Sequence, residues 1–141
     1  MSRAKIALIA NTDWYLYNFR ASFAKHLLQL GHEVIFICPS GAYTQAFKEM
    51  GIQWVKWDVN RQIGPPWQEL GSILRLAKIY REHEPHIVHA HTLKAVLYAS
   101  LASFFGHTPM LVNSIAGRGH VYSSNKPLYV ILRPVLNVLF W

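Results

Sequence analysis

Apolar and polar positions alternate along this 141-residue chain in five rounds, each a short apolar run followed by a longer helical period. The first run, Lys5 to Ala10, predicts a strand. The period then lengthens: Phe19, Phe23, Leu27 and Leu30 recur at helical spacing, with Asn18 as the expected N-cap and Gly31 just past the end. Glu33 to Cys38 is apolar after its first residue, as in a strand covered on both faces. Pro39-Ser40-Gly41 turns into a short helix, Tyr43 to Met50, stopped by Gly51. Strand three spans Ile52 to Asp58, and a loop runs from Val59 to Pro65. Pro66 opens helix three, whose expected inner stripe is Leu70, Ile73, Leu74, Ala77 and Tyr80, and Pro85 ends it. His86 to Ala90 predicts strand four. Helix four begins near Thr92 and ends at Gly106, and Met110 to Ile115 predicts strand five. Ala116 to Asn125 reads as a loop, and a last apolar helix starts near Pro127.

Repeated strand–helix units joined by right-handed crossovers imply a parallel sheet. The expected class is α/β: a Rossmann-like three-layer αβα sandwich with strand order 3-2-1-4-5, residues 1–141 forming one domain. The chain stops inside an apolar helix, so a second domain beyond it is expected.

Composition narrows the class. Apolar residues make up 52% of the chain and charged ones 15%, which excludes disorder. The net charge is +7, and all seven acids precede Pro85. The stretch from Pro85 to Trp141 holds Lys94, Arg118, Lys126, Arg133 and five histidines, a pattern that invites an anionic partner. The single cysteine, Cys38, lies in a strand pattern and reads as a buried small hydrophobe in a reducing compartment. No window reaches the roughly 18 uninterrupted apolar residues of a membrane span. A helix over Lys126 to Trp141 would be about 24 Å long, too short to cross. It suits either an interfacial position on an anionic membrane or packing against another domain.

Candidate chemistry gathers where strands one, four and five end, the carboxyl edge at which open α/β sheets bind ligands. After strand one come Asp13, Trp14, Tyr15, Asn18 and Arg20, with no Gly-x-Gly-x-x-Gly or Walker pattern. Arg20 is expected in the first helical turn, where it and free backbone N–H groups would hold an anion together. After strand four, His89 and His91 share a face, and Lys94 opens helix four as a point charge for phosphate. His86, at the opposite edge, reads as structural. After strand five, Gly117 and Gly119 let backbone approach a ligand, Arg118 offers a planar fork, and His120 exchanges protons near neutral pH. Catalytic zinc takes three protein ligands. Asp13 and His120 would have to complete a site with His91 at no recognised spacing, so no metal is expected. Asp13 is the best-placed acid. No nucleic-acid reader motif appears, and none is expected to bind.

These residues together resemble a known family. Asn11-Thr12-Asp13-Trp14-Tyr15-Leu16-Tyr17-Asn18-Phe19-Arg20, Gly31-His32-Glu33-Val34, His89-Ala90-His91-Thr92-Leu93-Lys94 and Val112-Asn113-Ser114-Ile115-Ala116-Gly117-Arg118-Gly119 resemble the N-terminal domain of GT-B glycosyltransferases of family 4. The bacterial enzymes that extend lipid-linked sugars are the most similar group. The resemblance implies transfer of a sugar from a nucleotide-sugar co-substrate, with retained anomeric configuration and no resident cofactor. It implies an acceptor-binding role for this domain, toward a polyprenyl-diphosphate-linked or glycan acceptor in capsule, O-antigen or glycoprotein glycan synthesis. The donor-binding half would be a C-terminal domain absent here or a separate chain, and residues 1–141 alone would be inactive. The setting would be cytoplasmic, peripheral at the inner face of the membrane.

On this resemblance Arg20, Lys94 and Arg118 contact phosphates, and Asp13, His91 and His120 contact sugar hydroxyls. Trp14 and Tyr15 pack on apolar sugar faces. Asp13 and His120 are the catalytic candidates. Many family members carry a His after strand five, where this chain has Ala116, so the resemblance carries over no His at that position.

Overall fold

The computed structural model describes residues 2–106, 110–115, 125 and 127–139. Among the described residues five strands and five helices alternate: β1 (Lys5–Ile9), α1 (Asp13–Gln29), β2 (Glu33–Cys38), α2 (Thr44–Glu49), β3 (Gln53–Lys56), α3 (Pro66–His83), β4 (Ile87–His91), α4 (Leu93–Ser103), β5 (Met110–Ser114) and α5 (Pro127–Leu139). The strands form one parallel sheet in the expected order β3-β2-β1-β4-β5. The order reverses beside β1, so β1 and β4 flank the switch point where the sheet edge opens a crevice.

Period-two alternation divides the core between the two faces. Ala7, Ile9, Ile35, Ile37, Val88 and Ala90 face α3 and α4, where Leu76, Ala77, Tyr80, Val96 and Ala99 meet them. Ile6, Leu8, Val34, Phe36 and Cys38 face the other way, against Leu16 and Ala24 of α1 and Phe47 of α2. Each fully buried Val, Leu, Ile or Phe among them contributes about 1.5–3 kcal/mol relative to exposure. Cys38 has no accessible surface, and burial pushes its thiol pKa up to about 12, against a lowering contribution from Trp54 and a small raising one from Asp13. That suits a hydrophobe rather than a nucleophile.

Gly31 closes α1 at φ 86°, a left-handed conformation that a side chain would strain. At the strand starts, Lys5 N–H donates to His86 Nδ1 (2.9 Å) and His86 N–H donates to the Lys5 carbonyl (2.9 Å). His86 therefore fastens β1 to β4 at the edge away from the site.

Three expectations are corrected. Helix α1 starts at Asp13, not after Asn18. Thr12, in extended conformation, is its N-cap and accepts from Tyr15 N–H at 3.3 Å. Asn18 lies inside the helix and donates to the Trp14 carbonyl. The inner face of α1 is also rotated from the expected stripe: Leu16 and Ala24 are buried, whereas Phe19, Phe23 and Leu30 are exposed. In α3, Leu70 and Leu74 are exposed and Leu76 and Ile79 are buried in their place. In both helices an outward row of large apolar residues mimics an inner stripe.

Candidate functional site

The cap of α1 is the first part of the site. Asp13 Oδ1 accepts from Trp14 N–H (2.9 Å), and Oδ2 accepts from Tyr43 N–H (2.8 Å). The carboxylate thus ties the start of α1 to the loop after β2. Gly41 makes this possible: a Cβ there would stand 2.3–2.4 Å from the Asp13 carboxylate. The expected partnership between Arg20 and free helix N–H groups is therefore corrected. Thr12 and Asp13 occupy the N–H groups of Tyr15 and Trp14, and Arg20 stands about two turns further along.

Two turns into α1, Arg20 meets the end of β4. Its Nε lies 3.1 Å from Nδ1 and 3.3 Å from Nε2 of His91, donating one N–H to the ring. Nη1 donates to the Phe19 carbonyl (2.9 Å) and Nη2 to the Tyr15 hydroxyl (3.2 Å). A guanidinium carries five N–H donors, so donors remain for a ligand. The His89 and His91 rings lie 4.0 Å apart, on the shared face expected from the strand period. His89 Nε2 pairs with Ser114 Oγ at 2.6 Å, and β5 sets Ser114 in register beside His91. Trp14, Tyr15 and Phe19 form an aromatic rim, with Phe19 5.5 Å from Trp14 and 5.1 Å from Tyr15.

His91 is fully buried, and its pKa falls to about 3 through burial first, then His89, then Arg20. His89 is lowered by burial and by Arg20. Both rings are therefore neutral near pH 7, and His91 acts as an acceptor that orients the guanidinium. The unfolded chain binds a proton at His91 below about pH 6.5, whereas the folded chain resists it down to about pH 3. Stability should fall on acidification through that window, approaching about 1.4 kcal/mol per pH unit. Urea unfolding should show a loss of about 2 kcal/mol between about pH 7 and about pH 5, and His91→Gln should flatten that slope. An unchanged slope in the variant would place the acid sensitivity elsewhere.

Lys94 does not join this cluster. Its ammonium pairs with Glu69 (3.0 Å) and donates to the carbonyls of Asn60 and Gln62, each at 2.7 Å. Glu69 also accepts from Tyr98 and from Gly64 N–H. Burial opposes ionisation of Glu69, but the bonds from Tyr98, Gly64 and Lys94 outweigh it and hold the carboxyl below its ordinary range. Between Lys94 and His91, Thr92 adopts φ 71°, ψ 145°, with its hydroxyl buried and without a hydrogen-bond partner among the described residues. Such strain typically costs about 1–3 kcal/mol and concentrates at functional sites.

Gly117, Arg118, Gly119 and His120 lie outside the described residues. Among those described, no group of three or more His, Cys, Asp or Glu side chains is placed to hold a metal ion. The sequence reading missed Ser114 and Glu69. Strand pairing could have found Ser114, and Glu69 is the lone acid in the first turn of α3.

A parallel α/β domain with this strand order has the Rossmann-like architecture, and its polar side chains gather where β1 and β4 end. The profile of the family described as Glycosyl transferase 4-like matches residues 5–140, and this chain belongs to that family. One relative, from Campylobacter jejuni, is named N,N'-diacetylbacillosaminyl-diphospho-undecaprenol alpha-1,3-N-acetylgalactosaminyltransferase. It is 23% identical over 136 residues, covering 96% of this chain and 36% of the relative. A glycosyltransferase from Rickettsia africae superposes with a TM-score of 0.64 at 18% identity, covering 91% of this chain and 35% of that one. A putative UDP-N-acetylglucosamine 2-epimerase from Listeria monocytogenes gives 0.65 at 16% identity, covering 96% and 38%. The structural likenesses speak for the fold alone. The chain spans about a third of the length of these proteins.

Proposed function

We propose that this chain forms the acceptor side of a glycosyltransferase that moves a sugar from a nucleotide-sugar onto a lipid-linked diphosphate acceptor, with retained configuration. The observation that carries the reading is Arg20, held at the sheet's carboxyl edge by neutral His91 and the Tyr15 hydroxyl. A guanidinium fixed in this way is a preorganised fork for diphosphate oxygens, and its charge is not cancelled by an ion pair among the described residues. Family membership and the lipid-linked substrate in the Campylobacter relative's name support the same chemistry.

In this reading Arg20, joined by Arg118, binds the acceptor diphosphate and offsets charge during transfer. The exposed indole of Trp14 and the Tyr15 ring flank the first sugar, and His120 is the proton-transfer candidate. Asp13 shapes the entrance through its bonds to the loop after β2. No resident metal or cofactor takes part, and the donor is held by a further domain or a separate chain. No helix among the described residues is long and apolar enough to cross a membrane. The domain meets its lipid-borne acceptor peripherally, with Trp14 and Phe19 toward the cytoplasmic leaflet. Residues 1–141 alone carry no transfer activity.

The test uses membranes supplied with a polyprenyl-diphosphate-linked sugar and nucleotide-sugars. This chain together with its donor-binding half should extend the lipid-linked sugar, and this chain alone should not. Transfer by neither, across uridine and guanosine diphosphate sugars, would overturn the reading.

A further inference from the structure

A cavity opens on the far side of the same sheet edge, and the function proposed above leaves it unused. It measures about 750 Å³ and is walled by residues after β2, residues after β3 and the first half of α3. That size lies within the roughly 300–1,000 Å³ of small-molecule sites.

Its chemistry differs from that at Arg20. The charged side chains on its wall are Lys56, Arg75, Asp58 and Glu69. They are already partnered. Lys56 pairs with Asp58 at 3.0 Å, and Glu69 is held by Lys94. Arg75 Nη2 donates to the Asp58 carbonyl (3.0 Å) and to Ser72 Oγ (3.1 Å). Lys56 and Glu69 are thus neutralised by their ion pairs, while Arg75 keeps its charge with Nη2 committed to two neutral acceptors.

The unengaged groups are neutral. The side chains of Ser40, Asn60 and Gln68 line the cavity, and none makes a hydrogen bond to another described residue. Beside them the Trp67 ring is 73% exposed, a large apolar plane left in water on the first turn of α3. Hydroxyl and amide groups that both donate and accept, next to an uncovered indole, match a pyranose: hydroxyls around its rim and C–H groups on its face. Rigid support is present as well. Lys94 fixes Asn60 and Gln62 through their carbonyls, so the loop wall of the cavity is set from the start of α4.

We propose that this cavity is a subsite for an uncharged sugar unit of the acceptor glycan, with Trp67 as its stacking platform. This rests on the glycosyltransferase reading. The two sites divide the acceptor: diphosphate at Arg20, and a sugar further from it at Trp67.

The experiment titrates the 141-residue chain with chitobiose and maltotriose, and with glucose 6-phosphate as the charged comparison, by saturation-transfer NMR. At least one neutral sugar should bind, and more tightly than the phosphorylated one. Trp67→Ala should weaken that binding about tenfold with unchanged circular dichroism, since the ring is exposed, and Trp67→Phe should restore part of it. No binding of either neutral sugar, equal binding by Trp67→Ala, or preference for the phosphate would overturn the subsite. In the transfer assay, Trp67→Ala should raise KM for the acceptor and leave kcat nearly unchanged. If Trp67→Ala is silent there while Arg20→Ala lowers transfer, the subsite fails and the transferase reading stands. If the wild type transfers nothing, the transferase reading fails, whatever the chain binds.

Discussion

Lys94→Met should destabilise the 141-residue chain by about 2–3 kcal/mol, the cost of leaving one member of a partly buried ion pair without its partner. The side chains of Lys94 and Glu69 are only 9% and 13% exposed, so water replaces the lost ammonium only in part. The same change frees the Asn60 and Gln62 carbonyls and loosens the loop before α3. Removing both charges is a different matter. Lys94→Met with Glu69→Gln should recover much of the loss, because no bare carboxylate remains. Urea unfolding of the two variants measures this directly. The sign with pH also follows. Glu69 titrates below its ordinary range in the folded chain, so its contribution is present above about pH 4.5 and fades on acidification below that. A loss under about 1 kcal/mol in Lys94→Met would mean that the pair behaves as an exposed surface bridge.

Arg20→Ala should lower kcat/KM for transfer by about 100-fold, roughly 2.7 kcal/mol, in this chain joined with its donor-binding half. Its partners are all neutral acceptors: a histidine that stays unprotonated, a tyrosine hydroxyl and a backbone carbonyl. The structure therefore offers the guanidinium orientation without neutralising it. Arg20→Lys should recover only part of the loss, because an ammonium cannot grip two phosphate oxygens in a plane. Tyr15→Phe removes one acceptor and should cost about 2–5-fold. Steady-state kinetics with varied acceptor separates these outcomes. Full activity in Arg20→Ala would remove Arg20 from the site.

Much of the fold was legible because parallel strands buried on both faces stand out as apolar runs, such as Val34 to Cys38. Crossover handedness narrows the strand order but does not fix it, since 2-1-3-4-5 sheets obey the same rule. The start of α1 was misread because Thr12 and Asn18 both suit an N-cap, and only Thr12 adopts the extended backbone of one. The faces of α1 and α3 were misread because Phe19, Phe23, Leu70 and Leu74 are large, apolar and exposed, at spacings that mimic a core stripe. At the site, the pairing of His89 with His91 was legible from a two-residue period. The commitment of Lys94 to Glu69 was not, since those residues lie 25 apart in the chain on different helices. Nor does local sequence say that Gly41 leaves room for the Asp13 carboxylate.

The most direct test is the binding of farnesyl diphosphate, a short polyprenyl diphosphate, to the 141-residue chain, followed by phosphorus NMR and calorimetry. The wild type should bind it, Arg20→Ala should bind at least about tenfold more weakly, and Trp67→Ala should bind it as the wild type does. Equal affinity in the wild type and Arg20→Ala, or no binding by the wild type, would contradict the assignment of Arg20 to the acceptor diphosphate.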